Sequence, residues 1–262
     1  MSNSLQERLY RTEAVVLSRT DYSEADRIFT LYTPKLGKIR VIGKGVRRPN
    51  SRLGPHLEYF SRCQLMLAKG RDLDVITGAE TIDSHIELRS DLDALGHASH
   101  MAELLNRLTE ERQEQERAYD LLSQSLRFVC DGVNPFVVTR YYELALTNLL
   151  GYRPELYRCV GCQKAITATS NSLSPRLGGL LCPECRGLDA GARVLTVNAQ
   201  KFLRVLDRDG LAGALRLKLG EPLQAELENA LGVYLRHLAE RDLTSLQIWR
   251  QLRNFQPVAG SE

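Results

Sequence analysis

Two close pairs of cysteines constrain this chain more than any other feature of its sequence. Cys159 and Cys162 form one Cys-x-x-Cys pair, Cys182 and Cys185 form the second, and nineteen residues separate the two. This spacing is typical of a tetrahedral zinc site, in which each pair closes a tight turn and supplies two soft thiolates. Because four cysteines fill the coordination shell, we expect one structural zinc ion without a catalytic role.

Two disulfides or four unrelated buried thiols are the alternatives for these cysteines. The chain starts with Met-Ser-Asn-Ser and has no apolar signal segment at this end. We therefore expect a reducing, cytoplasmic location, which argues against disulfides. The residues between the pairs (163–181) are rich in Ser and Thr and show little hydrophobic patterning, so they predict a small zinc knuckle.

Charge is distributed unevenly along the 262 residues. Residues 1–80 have a net charge of +5, residues 81–152 have −6, and residues 153–262 have +4. This asymmetry favours separate modules with separate partners. Hydrophobic residues make up 43% of the chain and charged residues 26%, as in globular proteins. No window of eighteen uncharged apolar residues occurs, so we predict no membrane partner.

The first 82 residues have the pattern of a β domain. Runs typical of strands cover residues 11–19, 27–32, 38–42, 59–67 and 74–79, and turn residues separate them. Five strands without a long helix are typical of a small barrel, and the five-stranded OB-fold is the commonest such architecture. The sequence therefore predicts an N-terminal OB-fold barrel at residues 1–82.

The remaining residues have a helical pattern. Apolar residues recur at three- and four-residue steps within residues 84–108, 118–130, 135–150, 196–206 and 223–240. We predict an all-helical C-terminal domain at residues 83–262, interrupted by the zinc-binding module at residues 155–192. The predicted fold class is thus an α+β multidomain protein.

A run of the barrel sequence that lacks acidic residues is the main candidate for a binding surface. No Asp or Glu occurs in residues 27–57, which contain eight basic residues. These are Arg27, Lys35, Lys38, Arg40, Lys44, Arg47, Arg48 and Arg52. Lys38 and Arg40 alternate with aliphatic residues on the third predicted strand and should share one face. Uncompensated positive charge attracts a polyanion, so we predict that the eight residues bind nucleic acid.

Aromatic side chains in the same region could stack on bases of a single strand. They are Tyr22, Phe29, Tyr32, Tyr59 and Phe60. The alternative interpretation is that the aromatic residues belong to the barrel core and that the basic residues are solvated surface charges.

Three stretches of the sequence make the chain similar to a known family. They are residues 22–26, residues 37–48 followed by Ser51 and Arg52, and residues 141–154, which lead into the four cysteines. With the basic barrel and the helical body, they resemble the bacterial RecO family of recombination mediator proteins. The resemblance implies an OB-fold domain followed by a helical domain with a zinc insertion.

The resemblance also implies a function and partners. RecO-like proteins are expected to bind single- and double-stranded DNA and to anneal complementary strands. With RecR, they are expected to help load recombinase onto strands coated by single-stranded-DNA-binding protein, during recombinational DNA repair. The resemblance thus implies a cytoplasmic, nucleoid-associated protein.

The residues themselves give no indication of catalysis. The sequence shows no recognisable nucleophile and base pair, and no His-x-Glu motif lies next to the four cysteines, as a nucleic-acid deaminase would require. We therefore predict that the protein is not an enzyme. The alternative function is that of a zinc-ribbon transcription or translation factor, or a protein-interaction scaffold without annealing activity.

Overall fold

The computed structural model describes residues 8–240 together with residues 243 and 245. The described chain forms two compact units, divided between Val133 and Asn134. No helix of the described residues is long and apolar enough to cross a membrane. The predicted domain limits at residues 1–82, 83–262 and 155–192 stay predictions, and their outermost parts lie outside the described residues.

Five strands open the first unit. They are β1 (Leu9–Asp21), β2 (Arg27–Thr33), β3 (Gly37–Gly43), β4 (Arg62–Ala68) and β5 (Asp74–Asp83). They pair in the order β1-β2-β3-β5-β4, and β4 also pairs with β1, so the sheet closes on itself as a barrel. Only β3 and β5 run parallel among the five pairs. The fourth strand starts later than predicted because Phe60 has a φ of +66°, which is incompatible with a strand.

Alternation along the strands builds the barrel interior. On β3, the side chains of Ile39 and Val41 are fully buried, whereas Arg40 between them is exposed. Two-residue periodicity therefore separates the apolar from the charged face, as predicted. The aliphatic residues pack with inward residues of the other strands, including Phe29, Leu31, Leu65 and Leu67.

Three α-helices follow the barrel in the described part of the first unit. They are α1 (Ile86–Ser90), α2 (Leu92–Leu108) and α3 (Glu116–Cys130). The single helix predicted for residues 84–108 is divided at Asp91, which has extended backbone and accepts a hydrogen bond from the N–H of Ala94 at 2.8 Å. This carboxylate caps α2 and explains the break. The hydroxyl of Tyr119 on α3 donates to Glu13 on β1 at 3.0 Å, so α3 is hydrogen-bonded to the barrel.

The second unit combines helices with a small sheet. Its elements are α4 (Pro135–Leu149), β6 (Asn171–Ser174), β7 (Gly179–Leu181), β8 (Arg193–Leu195), α5 (Val197–Ala214) and α6 (Glu221–Ala239). The strands form an antiparallel sheet in the order β7-β6-β8. Helix α5 starts after Thr196, whose hydroxyl accepts from the N–H of Ala199 at 3.2 Å, and it is interrupted at Gly210.

This sheet corrects the expectation of an all-helical domain with a patternless knuckle. Strands β6 and β7 form a hairpin inside residues 163–181, and Gly178 provides the left-handed residue of its turn. Leu173, Leu180 and Leu195 are buried in the core of the unit. Strands of three or four residues are too short to produce a recognisable alternation, which is why the sequence did not reveal them.

Candidate nucleic-acid interface and metal centre

The loop that follows β3 lies against the turn between β1 and β2. The N–H of Arg47 donates to the carbonyl of Ala25 at 3.0 Å, and the N–H of Gly45 donates to the carboxylate of Asp26 at 2.8 Å. Residues 44–52 are called the basic loop below, because they carry Lys44, Arg47, Arg48 and Arg52. Arg27 lies at the same end of the barrel, since it pairs with Gly43 at the end of β3.

Two of the eight predicted nucleic-acid contacts form ion pairs with one carboxylate. The Nε of Arg27 lies 2.7 Å from Asp21, and the Nη2 of Arg47 lies 3.3 Å from the other oxygen of Asp21. The hydrogen bond from Arg27, followed by the charge of Arg47, holds the pKa of Asp21 below its ordinary value. The basic run is therefore partly compensated by an acid that precedes it in the sequence.

Five other cations of the run are exposed. These are Lys35, Arg40, Lys44, Arg48 and Arg52. None of them forms an ion pair with a carboxylate of residues 8–240. Lys35 lies in the β2–β3 turn next to the pair Thr33 and Gly37, at the far end of β3 from the basic loop. The structure thus brings together Lys44, Arg48 and Arg52 in one loop, with Arg40 on the adjoining strand.

Lys38 has a different environment from the other seven cations. Its ammonium group donates to the carbonyl oxygens of Asn106 at 2.6 Å and Thr109 at 2.5 Å, at the end of helix α2. Its half-buried position lowers its pKa through desolvation. The last carbonyls of a helix lack partners within the helix, and Lys38 satisfies two such groups. We therefore leave Lys38 out of the surface considered for nucleic acid.

The five candidate stacking residues divide between core and surface. Phe29, Tyr32 and Phe60 are buried, as the alternative interpretation expects. Tyr59 is half-buried, and the guanidinium of Arg19 lies 4.6 Å from its ring centre. Tyr22 is 66% exposed in the β1–β2 turn, beside the basic loop. Of these five rings, Tyr22 is the one available to stack on a base.

The four cysteines converge in the second unit, as their spacing predicts. Their sulfur atoms all lie within 4.8 Å of one another, and the Sγ atoms of Cys162 and Cys182 are 3.8 Å apart. Tetrahedral zinc with Zn–S bonds of about 2.3 Å requires sulfur atoms about 3.8 Å apart. Among the described residues, no other group of three or more His, Cys, Asp or Glu is arranged to hold a metal. The geometry is therefore compatible with zinc.

Backbone groups prepare this site for thiolates. Burial raises the pKa of Cys159, but hydrogen bonds from backbone N–H groups, that of Cys182 first, outweigh this effect and lower it to about 6. The pKa of Cys185 is raised to about 12, first by its hydrogen bond with Cys182. Four thiolates this close repel one another, so full deprotonation needs a cation between them.

Gly161 allows the two cysteine turns to approach closely. A Cβ atom at this position would lie 2.7 Å from the Cδ1 of Leu188 and 3.0 Å from the Cβ of Cys185. The first turn is also bonded to strand β7, because the N–H of Val160 donates to the carbonyl of Leu180 at 2.9 Å. The Cys-x-x-Cys spacing predicts a turn at Gly161. Glycine is needed here because Leu188 and Cys185 approach so closely, which the spacing of the cysteines does not indicate.

Comparison with known proteins identifies the family. The family model for the recombination protein O N terminal matches residues 7–85, and the model for the recombination protein O C terminal matches residues 89–247. The chain belongs to the RecO family. The boundary between the two family models lies between residues 85 and 89, whereas the compact units of the structure divide after residue 133. Most of the sequence of α1 to α3 therefore belongs to the C-terminal family model, although these helices pack with the barrel.

Individual RecO proteins are similar over nearly the whole chain. The DNA repair protein RecO of Roseiflexus sp. (strain RS-1) is 42% identical, covering 96% of this chain and 88% of its own length. RecO of Dehalococcoides mccartyi is 34% identical, covering 92% and 94%. RecO of Symbiobacterium thermophilum is 34% identical, covering 94% and 98%. RecO family members are DNA repair proteins, so the resemblance noted from the sequence is confirmed.

Proposed function

We propose that this chain is a DNA-binding recombination mediator that anneals complementary single strands. With RecR, it would assist the loading of recombinase onto strands coated by single-stranded-DNA-binding protein. We assign the barrel to the OB-fold and place the protein in the cytoplasm, associated with the nucleoid. The observation that carries the proposal is that Arg40 on β3 and Lys44, Arg48 and Arg52 on the basic loop are exposed and form no ion pair with a carboxylate of residues 8–240.

Annealing requires that the repulsion between two phosphate backbones is reduced while the base edges stay free. Lys44, Arg48 and Arg52 can neutralise phosphates without reading sequence, because they are long, exposed cations on an irregular loop. The exposed ring of Tyr22 can stack on a base of any identity. These side chains therefore favour binding to single strands with little sequence preference.

We assign a structural role to the metal centre. Cys159, Cys162, Cys182 and Cys185 would hold one zinc ion, which supplies a cation that binds four thiolates and cross-links the two turns. The four sulfur ligands leave no position for a substrate or a water molecule. This arrangement supports a protein that is not an enzyme.

A strand-annealing assay tests the proposal. The rate at which two complementary labelled oligonucleotides form a duplex is measured with the wild-type protein and with the Arg40→Ala, Lys44→Ala, Arg48→Ala and Arg52→Ala quadruple variant. We expect the wild type to accelerate annealing and the variant to fall toward the spontaneous rate. A wild-type protein that binds both strands without accelerating annealing would contradict the proposal and favour a binding scaffold.

The matched control removes the same number of charges elsewhere. The exposed residues Arg117, Arg158, Arg186 and Lys218 serve for this purpose. Their combined replacement by Ala should leave the annealing rate close to that of the wild type. The mediator role needs a separate measurement, the amount of recombinase loaded onto strands coated by single-stranded-DNA-binding protein: loading should then depend on both this chain and RecR.

A further inference from the structure

Asp21 occupies the last position of β1 and binds two cations of the predicted DNA surface at once. One carboxylate oxygen lies 2.7 Å from the Nε of Arg27, and the other lies 3.3 Å from the Nη2 of Arg47. The Asp21 side chain is 51% exposed, so solvent and ligands can reach it. The Asp21 carboxylate thus places one oxygen against each of two guanidinium groups. A DNA phosphate bound to Arg27 and Arg47 would adopt the same arrangement.

Asp26 lies five residues after Asp21, in the turn between β1 and β2, and has a different set of contacts. Its carboxylate accepts the N–H of Gly45 at 2.8 Å, at the start of the basic loop. Its own N–H donates to the hydroxyl of Ser23 at 3.2 Å, and its carbonyl accepts the N–H of Tyr22 at 3.1 Å. Asp26 therefore links the turn to the loop and forms no ion pair with a cation of residues 8–240.

Further contacts fix the loop in the same place. The N–H of Arg47 donates to the carbonyl of Ala25 at 3.0 Å, and its Nη1 donates to the carbonyl of Ser23 at 2.8 Å. The loop backbone is thus held by the turn, while its other cations extend into solvent. Asp21 and Asp26 therefore act on different groups: Asp21 on the side chains of Arg27 and Arg47, and Asp26 on the main chain of the loop.

We propose that the two carboxylates affect DNA binding in opposite directions. Asp21 competes with DNA phosphates for Arg27 and Arg47 and so weakens binding, whereas Asp26 positions the basic loop and strengthens it. This inference rests on the proposed DNA-binding function and assigns regulation to the same surface.

The competition is physically reasonable because exposed ion pairs are weak and exchange readily. A phosphate that approaches the turn can take both arginines from Asp21, and Asp21 can take them back when the DNA leaves. An annealing protein must release the duplex that it forms. An internal carboxylate that returns to the arginines lowers the affinity for the product and favours this release.

The first test compares Asp21→Asn with Glu24→Gln. Glu24 is an exposed acid of the same turn that forms no ion pair within the described residues, so its substitution removes the same charge without freeing an arginine. For the wild type and each variant, the equilibrium constant for binding of a fluorescent single-stranded oligonucleotide is measured over a range of salt concentrations. We expect Asp21→Asn to bind about threefold to tenfold more tightly at low salt. Its salt slope should steepen by about 1.4, which corresponds to two further phosphate contacts on a single strand.

The same test includes its own check on the origin of the effect. In a chain that already carries Arg27→Ala and Arg47→Ala, the substitution Asp21→Asn should no longer steepen the salt slope. Equal salt slopes for Asp21→Asn and Glu24→Gln in the otherwise unchanged chain would overturn the role of Asp21. The net charge of the turn, and not the ion pairs of Asp21, would then determine DNA binding. Weaker binding by Asp21→Asn would also overturn it.

The second test compares Asp26→Ala with Asp26→Asn. Both remove a negative charge, but Asn retains an oxygen that can accept the N–H of Gly45. We expect Asp26→Ala to bind DNA several-fold more weakly despite the lost negative charge, and Asp26→Asn to bind at least as tightly as the wild type. Tighter binding by Asp26→Ala would overturn the positioning role. Thermal unfolding of each variant verifies that the barrel is intact.

Failure of this inference is distinguishable from failure of the proposed function. If the wild type shows no salt-dependent binding to the oligonucleotide, the proposed function itself is wrong. If the wild type binds, but Asp21→Asn does not strengthen binding or Asp26→Ala does not weaken it, only the role of Asp21 or of Asp26 is wrong.

Discussion

The ammonium nitrogen of Lys38 lies 2.6 Å from the main-chain oxygen of Asn106, which connects strand β3 to the end of helix α2. A second bond, to the carbonyl of Thr109, completes this cap. The main chain participates as well, since the carbonyl of Lys38 accepts the N–H of Arg112 at 2.8 Å. A positive charge that the sequence places in a DNA-binding run thus stabilises the fold of the first unit.

Substitution of Lys38 separates these two roles. We expect Lys38→Met to lower the free energy of unfolding by about 1–3 kcal/mol, because two helix-end carbonyls lose a charged donor. The salt slope of DNA binding should not change. Arg40→Ala, two residues away on the exposed side of β3, should have the opposite effects. We expect little change in the free energy of unfolding and a smaller salt slope of DNA binding. Denaturant unfolding and DNA titrations on both variants check this, and a reduced slope for Lys38→Met would contradict it.

The strands and most helices could be predicted from the sequence because their patterns are long enough to show a period. All five barrel strands overlap their predicted ranges, although β4 starts later and β5 ends later than predicted, and helices α3, α4 and α6 agree within a few residues. The sheet of the second unit was missed because β7 and β8 have only three residues each. No local pattern could indicate them.

The sequence predicts which residues belong to the candidate sites, but it does not predict which groups the basic residues contact. The cysteine spacing identified the four residues of the metal centre directly, since both turns are local and one longer segment joins them. The basic run identified a charged region, but the partners of its cations come from elsewhere in the chain. Asp21 precedes the run and Asn106 lies 68 residues after Lys38, so tertiary structure alone reveals that these cations are engaged.

Gly161 provides a test of the metal centre. We expect Gly161→Ala to reduce the zinc retained by the purified protein, because its Cβ would lie 2.7 Å from Leu188 and would push the two cysteine turns apart. Gly187→Ala is the matched control, since a Cβ there meets nothing within 4 Å. Metal analysis of both proteins is the measurement. Equal zinc contents would show that the close approach of the turns is not required.

Removal of zinc should affect the second unit and spare DNA binding. A structural zinc site contributes directly to folding, so a strong chelator should lower the unfolding temperature of the protein. We expect the affinity for single-stranded DNA to stay unchanged, because the proposed contacts belong to the barrel. Thermal unfolding and DNA titration with and without the chelator test this. Loss of DNA binding on gentle metal removal would instead place the cysteine module in the interface.

The stability of the first unit should depend on pH through Asp74. Burial raises the pKa of this carboxyl, but hydrogen bonds from the Tyr10 hydroxyl and the Gly70 N–H outweigh it, and Arg112 adds to them. The pKa therefore lies below its ordinary value of 3.8. The contribution of such a group is complete above the unfolded pKa and is lost as the pH falls through the folded one.

Asp74→Asn removes this contribution. We expect the variant to be less stable than the wild type at neutral pH, with a stability difference that shrinks as the pH falls below about 4. Unfolding by denaturant at several pH values measures the difference. A difference that stays constant down to pH 3 would contradict the assigned ionised state of Asp74.

The salt dependence of single-strand binding is the most direct test of the central claim, that exposed cations of the basic loop and β3 hold phosphates. In a plot of log affinity against log salt, the quadruple Ala variant at positions 40, 44, 48 and 52 should have a slope about 2–3 smaller than the wild type. The control variant at positions 117, 158, 186 and 218 should retain the wild-type slope. Equal slopes for the wild type and the quadruple variant would contradict the account.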